Sequence, residues 1–226
     1  MKKILSMFWA IIMLFSLVAC GETKSIQNET TDESALQIIT SDRKYDESDP
    51  VAILDEITND FSDVTTQLTG KLTEMFVAVG SNYEDYQKNK WLVDEWIMLV
   101  LSESDALFAR TKENSIAYFK LIAADEEHKY REFCEETLDE YYDTVYDKAM
   151  DEYYDALYDE AMDALYEEYY DGIIDDAYDE VAYKEWSNTS SECYKQWSNA
   201  SNAIYKKWSN ESSYVYGLWS AMNSNF

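Results

Sequence analysis

Few side chains in this 226-residue chain are placed to do chemistry. His128 is the only histidine, in Asp125-Glu126-Glu127-His128. A carboxylate three residues before a histidine can ligate iron inside a helical bundle, but only where two such pairs converge from different helices. With no second histidine, His128 is expected on the surface. Glu126 falls where an apolar helix seam passes, between Ala123 and Tyr130, and either snorkels outward or pairs with a Lys or Arg. A buried general acid there would need a second placed carboxylate and a cleft, and the sequence points to neither. The column Asp139, Asp143, Asp147, Asp151, Asp155, Asp159 and Asp163 can bind calcium or magnesium loosely. True calcium sites wrap about six to eight oxygens around the ion, usually from a loop. Gly172, the only glycine of this stretch, would put Glu167 first and Tyr178 twelfth in such a loop, which does not fit. A solvated acidic face is therefore expected. No Ser/His/Asp or Cys/His set, phosphate loop or zinc spacing occurs. No cofactor is implied, and the chain is not expected to be an enzyme.

The remaining candidates are aromatic. Tyr183, Tyr194, Tyr205 and Tyr216 recur every eleven residues, as do Trp186, Trp197, Trp208 and Trp219. Cys193, Ile204, Val215 and Phe226 precede each Tyr or close the series, and Ser190, Ser201 and Ser212 fall between the columns. Such columns can stack sugars of cell-wall or extracellular glycan, or they can be helix-packing positions, where aromatics more often belong. The sequons at Asn188, Asn199 and Asn210 are products of the repeat. Cys134 and Cys193 can form a disulfide outside the cytoplasm if the tail folds back to the top of the preceding helices, and are otherwise free thiols.

The elements that must position these columns are helices. One proline and five glycines leave little material for the turns of a strand-rich fold. Asp49-Pro50 has the form of a helix start, with Asp as cap and Pro in the first turn. From there Leu54, Ile57, Phe61, Val64, Leu68, Leu72, Met75 and Val79 recur at threes and fours, an amphipathic helix. Gly80-Ser81-Asn82 ends it, and Ser81 with Glu84 has capping-box spacing for a second helix. That helix contains the run Trp96-Ile97-Met98-Leu99-Val100-Leu101, apolar on all sides, and is expected to close near Arg110-Thr111. A third carries Ile116, Phe119, Ala123, Tyr130, Phe133 and Thr137. The expectation is an all-α protein with an antiparallel three-helix bundle over residues 50–138.

From 139 to 182 the chain is written in fours, DEYY DTVY DKAM DEYY and onward, an acid opening each block. In an α-helix each block advances the apolar pair by about 40°, so over nine blocks the stripe circles the helix. A coiling partner, a reset near Gly172 or partial exposure would accommodate that stripe. From 183 to 226 the eleven-residue period takes three turns, the mark of a gently right-handed seam. A hairpin, turning near residues 182–189, is the preferred arrangement, and one continuous rod the alternative.

Formal charge is −28. That potential repels nucleic acid and anionic lipid headgroups and favours cations or cationic partners. A nucleic-acid binder is not expected on this ground.

At the other end, Lys2 and Lys3 precede sixteen residues, Ile4 to Ala19, that are apolar apart from Ser6 and Ser16. This is short for a membrane span of about 20 residues and has the shape of an export signal. It ends Leu17-Val18-Ala19-Cys20-Gly21, which resembles the lipobox of bacterial lipoproteins. The resemblance implies removal of residues 1–19, a diacylglyceryl thioether on Cys20, and a protein anchored to the membrane by its lipid, outside the cytoplasm. Residues 21–49 then form a polar tether, with a short strand conceivable around 35–40. The whole reads as a surface-displayed helical stalk that docks a protein partner or self-associates. The alternatives are a glycan-binding module using the Tyr and Trp columns, and an acidic protein that responds to divalent cations.

Overall fold

Helix α1, Pro50–Val79, starts as its sequence dictates. Asp49 is extended (φ −107°, ψ 113°), and its Oδ1 accepts the Val51 N–H at 3.0 Å. Pro50 occupies the first turn, where its missing N–H leaves nothing unsatisfied. The helix stops at Gly80, whose φ of 94° favours glycine. A Cβ there would lie 2.7 Å from that of Asp85. The computed structural model describes residues 44–124 and 131–224, the side chains of 131–135 excepted, all within the compact unit Ala35–Phe226.

Helix α2, Tyr83–Asn89, is capped by Asn82 and not by the expected Ser81–Glu84 pair. Asn82 Oδ1 accepts the Asp85 N–H at 2.9 Å, and its Nδ2 donates to Asp85 Oδ2 at 2.7 Å. Helix α3, Trp91–Ala124, runs straight through Arg110 and Thr111, where a break was expected. Nothing there interrupts the backbone: Arg110 Nε bonds Asp60 Oδ2 on α1 at 2.9 Å, and buried Thr111 donates to Leu107 O at 2.9 Å. The expected third helix is thus divided, with Ile116, Phe119 and Ala123 in α3 and Phe133 and Thr137 in the next helix. Its apolar run is not buried all round either, since Trp96 and Val100 are fully buried while Met98 is 67% exposed.

Helix α4 spans 131–180 and alternates in character. It is α-helical over Arg131–Tyr141, Met150–Tyr154, Ala161–Asp163 and Asp171–Glu180. Between these it is π-helical, over Tyr142–Ala149, Asp155–Glu160 and Ala164–Tyr170. It passes through Gly172 without reversing. The chain turns back at Val181 and Ala182, both extended, into α5, Tyr183–Asn223.

The four long helices form a bundle in which α1 and α5 each pack against both α3 and α4. No strand occurs among the described residues. Burial in α1, α3 and α5 repeats every eleven residues: Ile53, Val64 and Met75; Trp96, Leu107 and Tyr118; Cys193, Ile204 and Val215. In α4 every fourth residue from Tyr141 to Ala177 is buried. The stripe of tetrads therefore does not circle the helix. The π segments place more residues in each turn than α geometry does. The average period rises to four, and the blocks stay in phase on one face. Neither a coiled partner nor a reset at Gly172 is needed, because the helix changes its own winding, and only the end of the stripe stays exposed, with Tyr178 at 64%.

Candidate functional site

The two repeats meet along one seam, where α5 lies antiparallel on α4. Each tryptophan is half-buried, and three of them donate the indole N–H to a main-chain carbonyl of α4. Trp219 bonds Leu138 O at 3.0 Å, Trp208 bonds Met150 O at 3.2 Å, and Trp197 bonds Met162 O at 3.0 Å. The donors are eleven residues apart and the acceptors twelve, so both helices advance three turns between successive bonds.

Around Met150 the ladder changes step. The Met150 N–H reaches back five residues to Val145 O, whereas the Asp155 N–H reaches Asp151 O and Glu152 O. Four amides, 151–154, are left for the five carbonyls 146–150. A shift from five-residue to four-residue steps thus leaves this interval one donor short, and Trp208 adds a donor within it, at Met150 O. Trp96 makes a similar indole bond between α3 and α1, donating to Leu68 O at 3.0 Å.

The rings repeat with the same meshing. Trp219 lies 4.9 Å from Tyr142, Trp208 4.4 Å from Tyr154, Trp197 5.0 Å from Tyr166 and Trp186 5.4 Å from Tyr178. The tyrosine column of α5 covers the outer edge, with Tyr216 near Tyr146 and Tyr205 near Tyr158, both at 5.7 Å. Tyr194 stands 6.3 Å from Tyr166, and Tyr183 is 5.2 Å from Trp186. Exposure separates the columns: Tyr183, Tyr194, Tyr205 and Tyr216 are 75%, 55%, 47% and 44% exposed. The tryptophans are interior to the seam, and the tyrosines face solvent. Asn188, Asn199 and Asn210 are exposed, while Ser201 and Ser212 are buried.

The acids Asp139, Asp143, Asp147, Asp151, Asp155, Asp159 and Asp163 are all exposed. Partial burial, then the carboxylates of Asp147 and Asp155, hold Asp151 above the usual carboxylate range. The same column reaches the phenols. Desolvation first, then Asp147 and Asp151 among nearby groups, raises Tyr142, and Asp159 and Asp155 act likewise on Tyr154. Among the described residues no group of three His, Cys, Asp or Glu side chains is arranged to hold a metal ion.

The sequence did not single out the polar contacts inside the bundle. Ser115 Oγ and the Tyr141 hydroxyl are 2.6 Å apart, and Ser104 bonds Tyr153 in the same way. Ser104 and Ser115 are eleven residues apart on α3 and their tyrosines twelve apart on α4, so the meshing rule of the seam also joins α3 to α4. That spacing was the available signal. At the far end Cys193 is a buried free thiol donating to the Tyr86 hydroxyl at 3.4 Å. Burial pushes it up to about 11, so it is not a thiolate at neutral pH, and as a free thiol it does not form the expected bond to Cys134. Nearby, Tyr170 donates to Gln196, which donates to Asp94 Oδ1 at 2.5 Å.

Cys20, the expected signal peptide and the conceivable strand at 35–40 lie outside the described residues, as do Asp125, Glu126, His128 and Phe226. The side chain of Cys134 does too. Among the described residues no helix is long and apolar enough to cross a membrane. In comparisons with known proteins, the chain matches no family model, no curated protein and no solved structure.

Proposed function

We propose that this chain is a lipoprotein anchored through Cys20 outside the cytoplasm, whose helical bundle holds the α4–α5 seam out as a docking face for another protein. The observation that carries this reading is the column Tyr183, Tyr194, Tyr205 and Tyr216, kept at the surface at a fixed repeat. A monomer gains little from four solvent-facing phenol rings in register, whereas tyrosine supplies rigid, amphipathic contact area at interfaces. Catalysis has no foothold in this reading, since the seam offers no nucleophile–base pair. The glycan-binding alternative keeps only the tyrosines. Three tryptophans spend their indole N–H on α4 carbonyls, and all four pack against tyrosine rings, tilted or edge-on.

The test is a photo-crosslinking residue in place of Tyr205 in living cells, with the same residue at exposed Glu74 on α1 as control. An adduct with another protein from position 205 and none from 74 is expected. No adduct from 205 would remove the docking reading. Cys20→Ser is expected to release the protein from the membrane fraction, and continued retention would contradict the anchor.

A further inference from the structure

The two walls of the seam differ in charge, and that difference says what kind of partner fits. Over residues 139–182, α4 and its turn carry seventeen acids and a single basic residue, Lys148. Over residues 183–223, α5 carries three acids and four lysines, so it is close to neutral and contributes the exposed rings. One lysine of α5, Lys207, is already paired with Asp105 on α3. The face is therefore a row of carboxylates lying along a row of tyrosines. Building on the docking reading above, we infer that the occupant is an arginine-rich polypeptide segment. Its guanidinium groups lie on the rings of Tyr194, Tyr205 and Tyr216 while pairing with the acids of α4.

The chemistry is specific to guanidinium. A planar cation stacks on a phenol face and keeps in-plane donors for a neighbouring carboxylate, which a lysine ammonium cannot do at once. The carboxylates already crowd one another: Asp147 and Asp155 both disfavour the charged form of Asp151. A cation placed between them relieves that repulsion. Successive exposed tyrosines on α5 are about 16 Å apart, from eleven residues at about 1.5 Å each. An extended segment covers that distance in about five residues, so basic residues at that interval match the face.

Other occupants fit worse. A second copy of this chain would bring a formal charge of −28 against the same acidic wall. A neutral glycan gains nothing from the carboxylates, and anionic lipid or nucleic acid is repelled by them.

The experiment uses the full lipidated chain in a non-ionic detergent and a fluorescent oligo-arginine peptide, read by anisotropy across a salt series. Oligo-lysine and a neutral oligosaccharide serve as rival ligands. Oligo-arginine is expected to bind more tightly than oligo-lysine at every salt concentration. The triple variant Tyr194→Gln, Tyr205→Gln, Tyr216→Gln should weaken it by roughly tenfold or more, the loss of three exposed cation–π contacts, with its helix content and cooperative unfolding retained. The charge variant Asp151→Asn, Asp155→Asn, Asp159→Asn should flatten the salt dependence. Equal binding of both peptides, untouched by the tyrosine variant, would overturn the inference and leave only counter-ion exchange. Preference for the oligosaccharide, or no binding at all, would overturn it as well. If no peptide binds while position 205 still crosslinks to a protein in cells, the inference fails and the docking reading stands. Without that adduct, both fail.

Discussion

Helices α4 and α5 share a seam but count residues differently. α5 takes eleven residues over three turns, which ordinary α geometry almost provides. α4 takes twelve, which it does not. The indole bonds show that the turns are nevertheless matched one for one, from Trp219 with Leu138 to Trp197 with Met162. Matching turns is what lets side chains interlock along the full length, so packing sets the number of turns and the backbone must fit the residues in. α4 complies by relaxing into π geometry about once per repeat. Its neighbours α1 and α3 bury residues on the eleven-residue rule, so α4 is the one long helix that must adapt. The lesson is that a strict four-residue pattern need not wind around a helix if the helix is packed on partners that hold its turns fixed.

The two helices also use tyrosine in opposite ways, and alkali should expose this most strongly. Burial holds the phenols of Tyr141, Tyr153, Tyr169 and Tyr170 on α4, with Tyr86 and Tyr118 on α2 and α3, above the usual 10.0. A phenol whose folded-state value is raised contributes stability that is complete below the unfolded value and is lost as pH rises past it. The bundle should therefore keep its urea midpoint up to about pH 9 and lose it steeply above about pH 10. Phenolate absorbance from the buried set should appear only as helix content falls. Ionisation of all tyrosines before any unfolding would mean the α4 rings are not buried.

The tryptophan zip can be weakened piece by piece. Trp208→Ala removes a half-buried ring and the donor to Met150 O, and is expected to cost about 2–3 kcal/mol, below the ~3–5 kcal/mol of a fully buried Trp. Trp208→Phe keeps a ring and loses only the donor, for about 1 kcal/mol. Equal costs in urea unfolding would show that the carbonyl bond matters no more than the contact area. The smallest effect concerns Gly172, where an added Cβ meets nothing within 4 Å. Gly172→Ala should stabilise by about 1 kcal/mol. A loss of stability there would point to a bend that the helix does not show.

Much of the framework was legible in the residues. The start of α1 followed from Asp49-Pro50, its end from Gly80, and the phase of each column from its spacing. The turn at Val181 and Ala182 sits beside the point where the period changes from four to eleven. The unbroken run of α3 through Arg110 and Thr111 was hidden because polar residues there look like a boundary, whereas Asp60 on α1 partners the arginine. The π segments were hidden for a deeper reason: no propensity marks them, and they arise only from the mismatch between α4 and its neighbours. Of the candidate seam, the columns were visible, but their division into interior Trp and outward Tyr was not. That division depends on which face α5 presents to α4.

A pair of single-residue deletions tests the central claim. Removing Asp159, inside the π segment Asp155–Glu160, shortens the interval from Met150 to Met162 to eleven and lets that stretch wind as ordinary α-helix. Removing Lys206 from α5 leaves ten residues for three turns and rotates everything beyond it by about 100°. Thermal unfolding followed by circular dichroism should show the Asp159 deletion folded, helical and cooperative, with the Lys206 deletion losing its cooperative transition. Equal damage from both would mean that α4 does not carry a spare residue per repeat, and the account of how the two helices mesh would be wrong.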